Sequence, residues 1–298
     1  MLSKASNRLK HMTLIKWKNI LQIQNKNNNF KSENKGEIFM QNVKDYWTGK
    51  SGRAKKAVEH TNKMSKEFEK EIEYSIENTK KYNEKSKFLP LLPKYTTEIV
   101  VEDLDSVAAI LNEDSDNIAV LNFASYKNPG GAFLLGSSAQ EESLCHESFL
   151  YNVLSTQHTY YAENDKAKNK ALYLDRALYS PNIMFERNGN RKFCDVITCA
   201  SPNLTAAKKY CNITDKQNTE ALSSRVEFIL NILAEQNKET IILGAFGCGV
   251  FGQSPVEVSL CFKDYLETKF KNVFKKVVFA VPNGMNGNLK AFKKTFSR

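Results

Sequence analysis

The chain has 298 residues, of which 41% are hydrophobic and 26% are charged, and its net charge is +10. This length suits one large domain with an extension, and no apolar stretch approaches the roughly 20 residues of a membrane span. Residues 1–35 hold seven lysines, one arginine and one glutamate, so +7 of the charge lies there and +3 in the remainder. The nearly neutral body argues against direct nucleic-acid binding.

The first 38 residues are rich in Lys and Asn, and Glu33 is the first acidic residue. Such a polar segment cannot bury an apolar core, so we predict a basic, disordered tail over residues 1–38. Transit peptides are also basic and poor in acids. Lys outnumbers Arg and Ser is sparse, however, so we predict a cytoplasmic location, with targeting to an organelle as the alternative.

Residues 39–95 are predicted to form a helical N-terminal elaboration. Its central part, residues 51–85, is charged and helix-prone, and the prolines of Leu89–Pro93 end the pattern. From residue 96 to residue 298 β-like and helical patterns alternate, which predicts one α/β core domain. The predicted strands are Thr97–Val101, Asn117–Ala124, Lys192–Ala200, Thr240–Ala245 and Lys276–Val281.

Helices are predicted between these strands, at Ser106–Leu111, Gln140–Leu154, Thr219–Gln236 and Pro255–Phe270. The last one has a strong start, because Ser254 can cap it and Glu257 can complete a capping box. Strands that alternate with helices predict an α/β fold with a mixed, mostly parallel sheet and helices on both faces. Ligands bind such sheets beyond the carboxyl ends of the strands.

A glycine pair, Gly130-Gly131, follows the predicted strand 117–124 and precedes Glu141 and Glu142 at the start of a predicted helix. Glycine lets the backbone approach a ligand where a Cβ atom would collide. Carboxylates beside such a loop suggest acid–base chemistry. A pair of acids at a helix start can also serve only to complement the helix dipole.

A second glycine-rich loop, Gly244–Gly252, lies between the strand 240–245 and the capped helix at Pro255. Successive backbone N–H groups and a helix N-terminus favour a phosphate or diphosphate here. The loop lacks the Gly-Lys-Ser/Thr of a P-loop, and it can also be a purely structural turn. Phe246 and Phe251 are candidates for stacking on a sugar or base, or for the core.

The six cysteines contain no Cys-x-x-Cys pair, and the four histidines are scattered. We therefore predict buried free thiols, no disulfide and no metal site.

Taken together, the two loops resemble those of microbial-type poly(ADP-ribose) glycohydrolases. The resemblance rests on Leu121–Ser125, Asn128–Ala132 and Gln140–Glu142, followed by Gly244–Gly252 as the diphosphate loop and Ala280–Asn283 as the end of the last strand. It covers roughly residues 50–298. It implies a macrodomain-like three-layer α/β/α sandwich that carries the N-terminal helical extension.

The resemblance implies hydrolysis of ribose–ribose O-glycosidic bonds in poly(ADP-ribose), with release of ADP-ribose, by a monomer without a cofactor. ADP-ribosylated proteins are the implied substrates. Neighbouring residues on a helix diverge by about 100°, so Glu141 and Glu142 cannot attack one bond from opposite sides. Glu142 is the implied general acid and base, and Glu141 is implied to hold ribose hydroxyls.

The implied substrate contacts are Asn128, Gly130, Gly131, Ala132, Phe133, Gln140, Gly247, Cys248, Gly249, Val250 and Phe251. Gln140 is a candidate for capping the helix or for donating to the ligand, and Ser125 is a candidate beside Asn128 for the distal ribose. Ala132 stands where the family has the third glycine of a triplet. This methyl group would be harmful if the position needs a positive φ or touches the diphosphate.

Three alternatives stay open at this point. An enzyme that removes single ADP-ribose groups would use the same pocket. A non-catalytic ADP-ribose-binding macrodomain would keep the loops but would not need the acids. An unrelated nucleotide-binding α/β protein would not bind ADP-ribose.

Overall fold

The computed structural model describes residues 49–284 and 287–297, so the predicted tail at residues 1–38 lies outside the described residues. The helices are α1 (Lys50–Glu67), α2 (Glu69–Asn78), α3 (Ser106–Asn112), α4 (Gln140–His146), α5 (Leu150–Leu154), α6 (His158–Lys166), α7 (Leu204–Cys211), α8 (Asp215–Glu235), α9 (Pro255–Glu267) and α10 (Asn288–Phe296). The strands are β1 (Lys80–Tyr82), β2 (Glu98–Glu102), β3 (Ile118–Phe123), β4 (Ala177–Arg187), β5 (Asn190–Cys199), β6 (Thr240–Leu243) and β7 (Lys276–Ala280). Short 3-10 helices cover Phe133–Leu135 and Asn169–Ala171.

All these strands form one seven-stranded sheet in the order β1-β4-β5-β3-β6-β7-β2. The five strands from β5 to β2 run parallel, whereas β4 is antiparallel to both β5 and β1. The predicted mixed, mostly parallel sheet is therefore confirmed. The parallel strands β5, β3, β6 and β7 end at the same edge of the sheet, where the two glycine loops begin.

The sheet separates two apolar cores, because successive side chains of a strand point to opposite faces. In β3, Ala119 and Leu121 enter one core, while Ile118 and Val120 enter the other. Helices α8, α9 and α10 cover the first core, and α1 to α6 cover the second. This is the predicted three-layer α/β/α arrangement.

The sequence patterns missed β4, which forms a hairpin with β5. Asn188 and Gly189 make its turn, with φ values of 53° and 82°, and two positive φ values are typical of the tightest hairpin turn. Pro181 interrupts the strand pattern, and the ladder accommodates it with a register shift between Ser180 and Ile183. The Asn-Gly pair was the available signal for this hairpin.

The predicted helix Gln140–Leu154 is wrong as a single helix, because the chain leaves the helical path at residues 147–149. There the backbone pairs with β4 instead. Glu186 N donates to Glu147 O across 2.8 Å, and Ser148 forms an isolated bridge with Phe185. The helix-prone residues 51–85 are similarly divided at Phe68, and their last part forms the edge strand β1.

The helix caps follow the sequence only in part. The Ser254 hydroxyl accepts from Glu257 N across 3.4 Å, as predicted. A fully reciprocal capping box forms at Thr214 and Gln217, so α8 begins at Asp215, ahead of the predicted Thr219.

The six cysteines are free, as predicted: Cys145, Cys194, Cys199 and Cys248 are buried, and Cys211 and Cys261 are partly buried. Among the helices of the described ranges, none combines the length and the apolar character that crossing a membrane requires.

The buried cation Arg225, only 1% exposed, ties three segments together beneath the carboxyl edge of the sheet. Its Nε donates to Asp175 Oδ1 across 2.6 Å, and its terminal nitrogens donate to the carbonyl oxygens of Ala200 and Leu172. A buried charge of this kind is stable only while its partners remain.

Replacing Asp175 with asparagine should lower the free energy of unfolding by about 3 kcal/mol, because Arg225 would stay buried without its counter-ion. Urea denaturation measures this change. Asp165→Asn is the matched control, since Asp165 forms an exposed ion pair with Lys168, and we expect a change within about 0.5 kcal/mol. Equal losses of stability in Asp175→Asn and Asp165→Asn would contradict the role of Asp175 as the counter-ion of the buried Arg225.

Candidate active site

A cavity of about 720 Å³ opens at the carboxyl edge of the sheet. Its walls come from both glycine loops, and Glu141 and Glu142 lie in its lining. The sequence placed the two loops far apart in the chain, and the parallel strands bring them to one crevice. This is the usual position of a ligand site in such sheets.

The first loop turns so that its backbone contacts both acids. Gly131 has a φ of +62°, and a Cβ atom there would lie 2.5 Å from Glu142 Oε1 and 3.0 Å from Glu141 Oε2. No L-residue with a side chain fits this position, for steric as well as conformational reasons. Because both oxygens lie close to one point, the two carboxyl groups are neighbours on one side of the cavity.

Ala132 takes the position of the third glycine without strain. Its φ is −108°, which is open to any L-residue. Its amide donates to Glu142 Oε1 across 2.8 Å. The first condition under which the methyl group would be harmful, a positive φ, is therefore absent.

Glu142 is 6% exposed and keeps one oxygen available. Oε1 accepts from Ala132, while no donor in residues 49–284 and 287–297 reaches Oε2. A carboxyl group held by one oxygen and open at the other can pass a proton to a ligand in the cavity.

Glu141 is more completely enclosed, at 3% exposure. Its Oε1 accepts from Asn122 Nδ2 across 3.2 Å, and its Oε2 accepts from Ser125 N across 2.6 Å. Burial raises the pKa of the Glu141 carboxyl to about 8, against these hydrogen bonds, and the neighbouring Glu142 carboxylate acts in the same direction as burial. Asn122 Oδ1 is buried and has no partner among the described atoms.

Gln140 neither caps α4 nor has a free amide for a ligand, so both predicted roles are corrected. Its Nε2 donates to Ser106 Oγ across 3.0 Å and to Leu121 O across 2.9 Å, and its Oε1 accepts from Phe123 N across 2.8 Å. The side chain thereby ties the first residue of α4 to the end of β3. It positions the two glutamates that follow it.

Phe133 is also corrected, because it lies in the core and not in the cavity wall. Its ring is fully buried, 4.6 Å from the ring of His146 and 5.1 Å from that of Tyr151. Gly130 likewise lies behind the wall, against the Tyr151 ring. Tyr151 itself lines the cavity and was missed, since a continuous helix through residues 147–149 would have given its side chain another direction.

Asn128 and Ser125 both line the cavity, and they are linked by a bond from Asn128 N to Ser125 Oγ of 3.2 Å. The structure therefore brings both candidates for the ribose to the same wall.

The second loop supplies backbone donors, although not all of those predicted. Cys248 N donates within the loop to Ala245 O across 3.1 Å, so its amide is engaged and its role as a phosphate contact is corrected. The amides of Gly247, Gly249, Val250 and Phe251 donate to no other described residue. Val250 is 82% exposed.

Close packing fixes the base of this loop. Gly247 has a φ of +78°, and a Cβ atom there would lie 2.2 Å from Ser201 Oγ. Phe246 is fully buried in the core, whereas Phe251 lines the cavity. Of the two phenylalanines considered for stacking, only Phe251 is in a position to do so.

Helix α1 supports the first loop from outside. Arg53 Nε donates to Gly136 O across 2.8 Å. Gly136 lies so close to the first turn of α1 that a Cβ atom would be 1.9 Å from Lys50 O. Because the 3-10 helix Phe133–Leu135 links Gly136 to Ala132, this contact also holds the amide that reaches Glu142.

In the described part of the chain, no three His, Cys, Asp or Glu side chains come together in a way that could hold a metal ion.

The family described as "microbial-type PARG, catalytic domain" matches residues 52–188. The structure is similar to the crystal structure of poly(ADP-ribose) glycohydrolase from Deinococcus radiodurans in complex with ADP-ribose, with 30% sequence identity and a TM-score of 0.68. That match covers 76% of this chain and 97% of the other. The chain belongs to the microbial-type poly(ADP-ribose) glycohydrolase family.

A second family member, the poly(ADP-ribose) glycohydrolase from Thermomonospora curvata, is 26% identical with a TM-score of 0.76, over 83% of this chain and all of that one. The same enzyme bound to the inhibitor ADP-HPD gives a TM-score of 0.72 at 26% identity and the same coverage. No curated protein sequence matches the chain significantly. The macrodomain-like fold expected for a microbial-type glycohydrolase is thus confirmed.

Because burial raises the pKa of Glu141 in this glycohydrolase, the free energy of unfolding should fall as pH rises from about 4.5 to about 8. Across that interval the folded state keeps the Glu141 proton that the unfolded state releases. Glu141→Gln removes this titration, so its stability relative to wild type should grow from pH 5 to pH 8 and then level off. Denaturant unfolding at several pH values measures the difference.

Glu220→Gln is the control, because it replaces an exposed carboxylate that pairs with Lys216 on the same helix. The glutamine of Glu141→Gln keeps one oxygen for Ser125 N, and its amide can donate to Asn122 Oδ1 after the Asn122 amide rotates. If the stability difference between Glu141→Gln and wild type does not vary from pH 5 to pH 8, Glu141 is charged in the folded protein over that range.

Proposed function

We propose that the protein is a poly(ADP-ribose) glycohydrolase that hydrolyses ribose–ribose O-glycosidic bonds and releases ADP-ribose. One observation carries the proposal: Glu142 is fixed by one oxygen, and its other oxygen is open to a cavity bordered by both glycine loops. The two family members described above, one bound to ADP-ribose and one to ADP-HPD, support the same substrate.

The second loop is the proposed site of the diphosphate. The unpaired amides of Gly247, Gly249, Val250 and Phe251 present several donors, and helix α9 begins just beyond them. Backbone donors of this kind suit phosphate oxygens. The Phe251 ring is proposed to pack against a ribose, and Asn128 and Ser125 are proposed to contact the distal ribose.

In the proposed reaction Glu142 acts first as acid and then as base. Its Oε2 gives a proton to the ribose oxygen that leaves as the C–O glycosidic bond breaks. A water molecule then attacks the anomeric carbon, and Glu142 takes up one of its protons, which restores the carboxyl group. Glu141 lies beside Glu142 and not across the bond, so a single acid serves both steps.

Glu141 is proposed to hold a ribose hydroxyl and to keep a second negative charge out of the site. Its oxygens accept from Asn122 Nδ2 and Ser125 N, and the proton of the neutral carboxyl group can be donated to a ribose hydroxyl. With a pKa of about 8 it is mostly neutral near pH 7. A neutral Glu141 does not repel a substrate that carries a diphosphate.

Four further expectations remain proposals: action on ADP-ribosylated proteins, a monomeric state, a cytoplasmic location, and the division into an elaboration at residues 39–95 and a core at residues 96–298.

The first test compares wild type with Glu142→Gln for ADP-ribose release from a protein that carries poly(ADP-ribose). Loss of the acid and base should lower kcat by about 10²- to 10⁴-fold. Calorimetry should show that the variant still binds ADP-ribose, because the amides of the second loop are unchanged. Glu163→Gln, an exposed acid, is the control and should retain full activity.

Release by Glu142→Gln at the wild-type rate would disprove the role of Glu142. A wild type that binds ADP-ribose but never releases it would favour the non-catalytic binding protein. Release from substrates with a single ADP-ribose group, without release from the polymer, would favour the mono-ADP-ribosyl hydrolase.

A second test concerns the contact between the first loop and Glu142. Gly131→Ala should reduce kcat by about 100-fold, because the added Cβ atom would displace Glu142 by an ångström or more. The matched change at the next residue, Ala132→Gly, should alter kcat less than about threefold, since the φ of −108° suits both residues. Initial rates on the polymer measure both effects, and a strong gain from Ala132→Gly would mean that the methyl group obstructs the substrate.

A further inference from the structure

Helix α7 begins at the cavity wall. Thr205 N donates to Phe251 O across 3.1 Å. Gly252 packs so tightly that a Cβ atom there would lie 2.3 Å from Thr205 Oγ1. The start of α7 therefore adjoins the second loop at Phe251, which lines the cavity.

A second segment, residues 166–173, lies beside α7 at the same rim. Asn203 N, just before α7, donates to Ala171 O across 2.9 Å. The Tyr173 ring lies 6.2 Å from the Phe251 ring and stacks on Tyr126 at 4.1 Å. The Tyr173 ring thus packs between Tyr126 and Phe251, and of these three rings Phe251 lines the cavity.

The backbone of this segment is held in an unfavourable conformation. Asn169, Lys170, Ala171 and Tyr173 all have φ values between 41° and 62°, although none is glycine. Such positions persist only where surrounding contacts impose them, and they occur most often at functional sites.

The exposed surface of these two segments is basic and carries an aromatic ring. We call it the basic ledge, and its members are Lys166, Lys168, Lys170, Lys208, Lys209 and Tyr210. Tyr210 is 73% exposed, and the Lys209 ammonium group lies 5.1 Å above its ring.

Acidic neighbours neutralise only part of this charge. Asp215 pairs with Lys208 at 2.7 Å, and Asp165 pairs with Lys168 at 3.2 Å. Within the described ranges no carboxylate pairs with Lys166, Lys170 or Lys209. A net positive charge therefore remains next to the cavity mouth.

We propose that the basic ledge binds the ADP-ribose units adjoining the one held in the cavity. Each such unit offers a diphosphate for the lysines and an adenine for stacking on Tyr210. The inference rests on the proposed function, because adjoining units exist only where the substrate is a polymer. The ledge would favour long chains over short ones and leave the binding of free ADP-ribose unaffected.

The test measures binding of long poly(ADP-ribose) by filter retention in a Glu142→Gln background, which limits hydrolysis. Lys170→Glu combined with Lys209→Glu should weaken binding about tenfold at low salt, and less at high salt. Tyr210→Ala should weaken it severalfold. Calorimetric affinity for free ADP-ribose should stay constant in every variant.

Lys293→Glu combined with Lys294→Glu is the matched control, because it makes the same charge change in α10, which packs on α9 and β2 away from this rim. Equal polymer affinity of the ledge and control variants would overturn the proposal, as would an equal loss of affinity for free ADP-ribose. The proposed function is tested separately, and it fails if wild type releases no ADP-ribose. The comparison of polymer affinity between the ledge and control variants tests the basic ledge whatever the result of that activity assay.

Discussion

The amide of Ala132 donates to Glu142 Oε1 across 2.8 Å, and the geometry of the active site depends on this contact. It joins two segments that are each fixed elsewhere. The loop is held at Gly136 by α1, and helix α4 is held at Gln140 by the end of β3. Gly131 allows the two to meet, because its missing Cβ atom leaves room for the carboxylate.

The same contact separates the roles of two adjacent and otherwise identical side chains. Glu142 is held by a single backbone donor and opens to the cavity, while Glu141 is enclosed by Asn122 and Ser125. Burial then keeps Glu141 neutral near pH 7. Glu142 is thereby the carboxyl group with an oxygen open to the cavity, and the electrostatic cost of placing two charges side by side is avoided.

The sequence was sufficient for features that depend on local pattern. The apolar runs in β3 and β6, the two glycine loops and the adjacent acids all occupy their predicted places. Roles that depend on particular hydrogen-bond partners were not predictable: Gln140 was expected to face a ligand and bonds instead to Ser106 and to β3, and the Cys248 amide is engaged by a turn within its own loop.

Two other omissions have different physical reasons. The hairpin of β4 and β5 was signalled by Asn188-Gly189, but Pro181 obscured the strand. Arg225 gave no signal at all, because an arginine within a helix is normally exposed, and only its partners Leu172, Asp175 and Ala200 explain its burial.

The contact between α1 and Gly136 means that the smallest unit with an intact site includes the N-terminal helix α1. The sheet and its two glycine loops would look complete without the N-terminal helices. Yet the first turn of α1 packs directly against the backbone of the first glycine loop at Gly136. In evolutionary terms α1 is therefore part of the active-site scaffold, and a lineage that lost it would need another element to brace this loop.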